Sequence, residues 1–380
     1  MFFFMSGYIP QRDKNSLSER LMQKFNIAIE YEKSDEEAPV LLKNTAFAAP
    51  LEGVLETFSL PAKGEVDPTA VMAVFYYFLF GIMLSDAGYG ALMVVFSALL
   101  LWRFKGMETG MKNTLKMFLY CGVSTFFWGI MFGGYFGDAI SVISKTFFKK
   151  EVLIRPLWFS PMDQPMRMLI FSLLIGIIHL FSGLGVKLYV LVRQKRWKDA
   201  LYDVIFWYLL VGGALIYLLS VKMFKDMAGL TFTLPALVKN IAVISALIGA
   251  LGIIFTSGRD SKNPFKRVAK GLYGLYNVTG YLSDILSYSR LLALGLATGV
   301  IANVFNKMGS MLGGGILGVI GFSIIFILGH TLNLGINLLG AYVHTNRLQF
   351  VEFFGKFYDG GGRKFSPFKA ETLNYRVEDK

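Results

Sequence analysis

A single charge interrupts the stretch LSYSRLLALGLA at residues 286 to 297, and that charge is Arg290. It lies near the middle of an apolar run from Gly271 to about Phe305. A guanidinium keeps its charge across the physiological range. Holding one at a bilayer centre costs about 2.5 kcal/mol on the mildest insertion scale. A charge kept at that cost points to a functional role more than to a structural one. At 100° per residue, Tyr276, Thr279, Ser283 and Ser287 fall within roughly 60° of Arg290. Asp284 falls about 120° away. On one helix it is therefore no partner for Arg290, and it is expected to meet a neighbouring helix or an aqueous pocket.

A second polar stripe follows. His330, Asn333, Asn337, His344 and Arg347 fall within roughly 100° of one another, with Gly340 filling the stripe. Each residue also has a plainer reading. Serine and threonine in membrane helices bond their own backbone, and asparagine bonds across to a neighbour. Arg347, near a helix end, reads as an interfacial anchor. His179, alone in its helix, reads as a packing residue. The histidines show no metal-binding spacing, and Cys121 is the only cysteine, so no disulfide framework or cysteine metal site is expected. The glycines at 313–315 and 360–362 are not in a strand–turn–helix setting and read as loop hinges, not phosphate cradles.

These residues need helices in lipid to position them. Of 380 residues, 54% are hydrophobic and only 17% charged, where a soluble domain is about a quarter charged. Mean hydropathy is +0.52. The fold class is therefore an all-α polytopic membrane protein. The net charge of +12 fits basic loops against anionic headgroups better than nucleic acid. The N-terminal MFFFMSGYIPQRDK lacks the basic leader of a signal peptide.

Residues 1–68 read as the remnant of a larger cytosolic arm plus a linker. Ser16 and Glu19 have capping-box spacing, IAIEYE alternates like a strand, and KSDEEAP is an acidic linker. Residues 69–348 read as eight spans: 69–84 and 87–103, split at SDAGYG where Gly88 and Gly90 permit a break, then 114–137, 166–191, 201–221, 236–256, 271–305 and 315–345. Gly129, Gly133 and Gly137 form a close-packing face on the third. The last two are long, roughly 52 and 46 Å, against a hydrocarbon core of about 30 Å, so strong tilt is expected. Residues 349–380 read as a cytosolic tail. The basic loops 193–198 and 259–270 put the termini in the cytoplasm.

The stretches GYLSDILSYSRLLALGLATGVIANVF and GAYVHTNRLQFVEFFGKFYDGGGRKFSPF strongly resemble the last two membrane helices of subunit a of rotary V-type and A-type ATPases, called subunit I in bacteria. DPTAVMAVFYYFLFGIMLSDAGYGALM resembles its first membrane hairpin, and the likeness covers nearly all of residues 40 to 370. The resemblance implies a stator subunit that presses two long helices against a ring of proteolipid subunits (subunit c or K), each with one cation-carrying carboxylate. It implies that Arg290 and Arg347 serve translocation of H⁺ or Na⁺. It further implies that Tyr276, Thr279, Ser283, Asp284, Ser287, His330, Asn333, Asn337, His344 and Glu352 line half-channels. It implies membrane lipid, the central-stalk cap subunit (d or C) and, through the arm, peripheral-stalk subunits E and G as partners. No cofactor is implied, and the setting is a bacterial or archaeal plasma membrane. Hydrolysis belongs elsewhere, since the chain carries no Walker motif. Thr298 and Asn337 stand where eukaryotic members have histidine and glutamate, which leaves the ion open. The rivals are a secondary transporter, which would show internal repeats, and a structural anchor, which has no need of arginines on two polar stripes.

Overall fold

The computed structural model describes residues 4–32, 38–62, 64–150, 152–221, 225, 234–259 and 264–368. Among these residues the chain is helical, with two isolated β-bridges and no β-strand. Two short helices come first, α1 (Lys14–Lys24) and α2 (Glu52–Phe58). Ser16 lies inside α1 and not at its cap, which is Asp13 without a side-chain bond. The capping-box reading is thus corrected. IAIEYE carries strand-like alternation but forms no strand, since a lone strand has no ladder to join. Most of the acidic linker lies outside the described residues.

The apolar helices follow: α3 (Thr69–Leu84), α4 (Ala87–Arg103), α5 (Thr109–Phe132), α7 (Pro165–Arg193), α8 (Trp197–Leu218) and α9 (Ala236–Thr256). A ten-residue helix α6 (Ala139–Phe148) lies between the expected third and fourth spans. The break between α3 and α4 falls at Ser85 and Asp86. Ser85 takes a left-handed conformation (φ 33°). Asp86 caps α4 by accepting from the Gly88 and Tyr89 amides. Gly88 and Gly90, expected to make the break, lie within α4.

Asp86 also accepts from the amides of Phe136 and Gly137, at 3.0 and 2.8 Å. One buried carboxylate thus ties the α3–α4 turn to the turn after α5. The glycine stripe expected on the third span is only partly helical. Gly129 faces Ala87, where an added Cβ would lie 2.0 Å from the backbone nitrogen. Gly133, at φ 78°, ends α5, because its left-handed conformation suits glycine.

The seventh expected span is not one straight helix. It divides into α10 (Pro264–Tyr276), α11 (Val278–Ser287) and α12 (Ser289–Ser310), with turns at Asn277 and Tyr288. The final helix α13 (Ile316–Arg347) continues through a π-helical turn, Leu348–Phe353, and a 3₁₀ turn, Phe354–Lys356. Six helices among the described residues are long and apolar enough to cross a membrane, the last two being Val268–Ser310 and Ile316–Lys356. α3 and α4 are shorter, at 16 and 17 residues.

The core joins α3, α4, α5, α7 and α11–α13 around Tyr76, Phe80, Tyr89, Tyr288, Phe353 and Phe354, all fully buried. The chain also closes on itself. Val40 bridges Lys364, Leu60 bridges Gly362, and the Glu65 carboxylate accepts from the amides of Asp359 and Gly360. Tyr358 donates to Ser59 O at 2.8 Å. Burial, with Glu65 and Asp67 adding, raises the Tyr358 phenol above its ordinary range, so it stays a neutral donor. The segment entering α3 and the segment leaving α13 thus meet at one end of the molecule.

Candidate functional site

Tyr288 makes the break beside Arg290. No proline or glycine sits there. The ring packs over Gly176 of α7, where a Cβ would lie 2.5 Å from it, and its hydroxyl lies 2.7 Å from His179 Nδ1. His179 stacks on Phe353 at 4.6 Å and 16°. The packing role expected for His179 is what it has, on a bend that positions Arg290 in the first turn of α12.

Two ion pairs join this bend to the end of α13. Arg290 Nη1 lies 3.2 Å from Glu352 Oε1, with side chains 21% and 2% exposed. Lys356 Nζ lies 2.5 Å from Asp284 Oδ2, and its ammonium sits 4.1 Å above the Tyr281 ring. Each of the two helical segments thus contributes one cation and one anion. Asp284 meets a neighbouring element, one of the two settings expected for it. The Arg290–Glu352 pair was hidden in the sequence, because Glu352 reaches inward from a π-helical turn, whose wider register shifts every following side chain. Several buried polar atoms here have no hydrogen-bond partner among the described residues: Glu352 Oε2, both amide atoms of Gln349, His344 Nδ1, Asn346 Oδ1 and His179 Nε2.

A second polar system is saturated. Asn337 Nδ2 donates to Asn333 Oδ1 at 2.6 Å. Asn333 Nδ2 donates to the Tyr89 hydroxyl at 2.8 Å and to Thr298 O at 3.1 Å. Tyr89 Oη lies 2.6 Å from His330 Nδ1, and His330 Nε2 lies 3.0 Å from Asn306 Oδ1. Asn306 Nδ2 donates to Asp138 at 2.9 Å and to Phe136 O at 2.8 Å. The donors fix the direction: Asn306 Oδ1 accepts, so His330 donates from Nε2 and its Nδ1 accepts the hydrogen bond of the Tyr89 hydroxyl. The chain runs from buried Asn337 to exposed Asp138. An amide does not relay a proton at neutral pH, so the system locks α4, α12 and α13 together and is not itself a proton wire.

The two expected stripes therefore differ. Tyr276, Thr279 and Ser283 are exposed and Ser287 half-buried. Thr279 bonds Tyr276 O at 2.7 Å and Ser287 bonds Ser283 O at 3.1 Å, the own-backbone pattern. Turns at Asn277 and Tyr288 separate Tyr276 and Arg290 from α11, so the single-helix angles hold only within each segment. His330, Asn333 and Asn337 are buried, at 4%, 1% and 6%.

α12 and α13 run antiparallel, with Phe305 against Gly329 and Leu294 against Gly340. Their outer faces carry apolar lines. On α13 the line is Leu328, Leu332, Ile336, Leu339 and Val343, all over half exposed, and the next position at helical spacing is exposed Arg347. On α12 Val304 and Met308 are exposed and fall within roughly 40° of Arg290, with exposed Val300 beside them and exposed Leu286 just before the turn. Two arginines thus stand at corresponding ends of two exposed apolar stripes.

Six helices long and apolar enough to cross a membrane, among the described residues, mark a membrane protein. The V-type ATPase 116 kDa subunit family model matches residues 2–153 and 275–370, and the chain belongs to that family. It is 35% identical over 398 aligned residues to the A-type ATP synthase subunit I of Methanocaldococcus jannaschii, covering 97% of this chain and 55% of that protein. The corresponding Pyrococcus horikoshii subunit is 33% identical, over 98% of this chain and 54% of its own length. A V-type ATP synthase subunit I of Chlamydia pneumoniae is 25% identical, over 90% and 57%. The chain spans about half the length of these curated relatives.

Proposed function

We propose that this chain is the membrane part of the stator of a rotary ATPase, and that it forms the path of a translocated cation, H⁺ or Na⁺, against a rotating proteolipid ring. The observation that carries the reading is the pair of exposed apolar stripes on α12 and α13, with Arg290 in one and Arg347 at the end of the other. An apolar surface suits a partner that slides past in lipid. The arginines suit a partner that presents carboxylates.

In this reading a ring carboxylate crosses lipid neutral, carrying its cation. Opposite Arg290 its ionised form is favoured by roughly 4 kcal/mol, for charges about 4 Å apart at an effective dielectric near 20. The arginine thus strips the cation and does not exchange a proton of its own. Water reaches the site from two offset sides. The exposed stripe of Thr279, Ser283 and Ser287 borders one approach, together with Tyr276 and Asp284. The segment of His344, Arg347 and Glu352 borders the arginines between the two. His330, Asn333 and Asn337 hold the helices at the other approach.

The topology belongs to the same proposal. Six long helices and the short α3–α4 hairpin make eight spans in residues 69–348, with 1–68 and 349–380 on the cytoplasmic side. The meeting of the segments before α3 and after α13 supports an even number of crossings. Arg259 pairs with Asp199 at 2.9 Å, which supports both basic loops on one side. The ring, the central-stalk cap and the peripheral stalks are the proposed partners. Hydrolysis of ATP belongs to other subunits.

Cross-linking tests the contact surface. Cysteines replacing Leu332, Ile336 or Leu339 are expected to cross-link to ring subunits in the assembled complex, whereas one replacing Leu247, exposed on α9, is not. The native Cys121 is buried and does not interfere. Equal yields at both faces would contradict the reading.

A further inference from the structure

Glu352 has no task in the scheme above beyond bordering the path, yet its setting is specific. It is 1% exposed. One oxygen takes Arg290 Nη1 at 3.2 Å, and the other is buried without a partner among the described residues. A buried carboxylate with a single ion-pair partner is costly unless that partner stays. Arg290 is the more exposed member, at 21% against 2%. A guanidinium has five N–H donors in a rigid fork, so it can hold Glu352 with an inner edge and a second carboxylate with an outer one. Asp284, the other nearby anion, is already held by Lys356.

We propose that Glu352 is the resident counterion of Arg290, a positioning residue that aims the guanidinium outward and offsets its charge, so that a ring carboxylate is held long enough to lose its cation and then let go. This rests on the reading that Arg290 faces the ring. Two consequences follow. Without Glu352 the guanidinium grips the ring carboxylate harder, and an incoming cation must compete against a stronger pair. The loss therefore appears in the cation concentration needed for turnover. It does not appear in the coupling of transport to hydrolysis, which depends on the arginine charge.

The test uses the assembled complex in sealed vesicles, measuring ATP hydrolysis and cation uptake as the transported cation is varied on the loading side. Glu352→Gln keeps the shape of the side chain. It is expected to raise the cation concentration for half-maximal turnover about tenfold, with maximal turnover within about twofold of wild type and cations per ATP unchanged. Glu352→Asp is expected to recover most of the shift. A lower maximal rate at unchanged half-maximal concentration would mean a packing role and overturn the proposal, as would an unshifted curve. Loss of coupling in Glu352→Gln would also overturn it, by making Glu352 part of the barrier itself. Arg290→Lys in the same assay separates the two ideas: coupled transport there defeats the reading of Arg290, whatever Glu352 does.

Discussion

At the scale of single residues, the molecule sets a charged pair and a neutral network side by side and treats them differently. Arg290 keeps part of its surface outward and gives one edge to Glu352. Asn333 is sealed in, with its amide donating to Tyr89 and Thr298 and accepting from Asn337. Asn333→Leu removes the side-chain hydrogen bonds to the Tyr89 hydroxyl and the Thr298 carbonyl, and leaves the Asn337 amide only the backbone carbonyl of residue 333. Such losses cost about 1–3 kcal/mol each. The variant is expected to unfold several degrees lower in detergent while the assembled complex stays coupled. Loss of coupling at unchanged thermal stability would instead put Asn333 on the ion path. Arg290 was legible in the sequence because a charge in an apolar run stands out against any hydropathy scale. Its partner was not, because the π-helical turn at Leu348–Phe353 changes the angular spacing on which such reasoning depends. His330 was legible as polar but not as bonded to Tyr89, 241 positions away.

At the scale of elements, hydrophobic runs located the helices well. The bounds expected for α3, α4 and α9 are those observed, because each is a plain apolar run closed by a polar residue or a proline. The breaks were harder. The α3–α4 turn depends on Asp86 collecting four amides from two turns, which a glycine count does not reveal. The bend at Tyr288 is imposed by α7 through Gly176 and His179, so nothing in its own helix announces it. Gly129 supplies the closest approach between α5 and the start of α4. Gly129→Ala would drive a methyl into the Ala87 backbone and is expected to cost about 1–3 kcal/mol by overpacking. Gly110→Ala, with nothing within 4 Å, is expected to leave stability unchanged or slightly raised. The check is the yield of folded protein and its midpoint of thermal unfolding in detergent. Equal behaviour of the two variants would mean that α4 and α5 are free to separate.

At the scale of the whole molecule, the fold reads as two unequal parts. α8 and α9 pack mainly on each other and present apolar side chains outward, as Leu247 and Leu251 do. The core of α3–α5, α7 and α11–α13 holds the charged bend and returns the chain to its starting side through the Val40–Lys364 and Leu60–Gly362 bridges. The loop charges already put both termini on one side, but the contact itself was not legible in the sequence, because it spans the whole chain and its bridges are made by backbone atoms. What was legible was the class of the molecule and the place of its charge, on which rests the proposal that Arg290 works on the transported ion and is not a structural charge. The direct measurement is ATP-driven cation uptake into vesicles holding the assembled complex, with and without Na⁺, for wild type and Arg290→Ala. Uptake is expected to disappear in the variant while the hydrolytic subunits stay attached, and the Na⁺ dependence of the wild type names the ion. Uptake retained by Arg290→Ala would contradict the proposal.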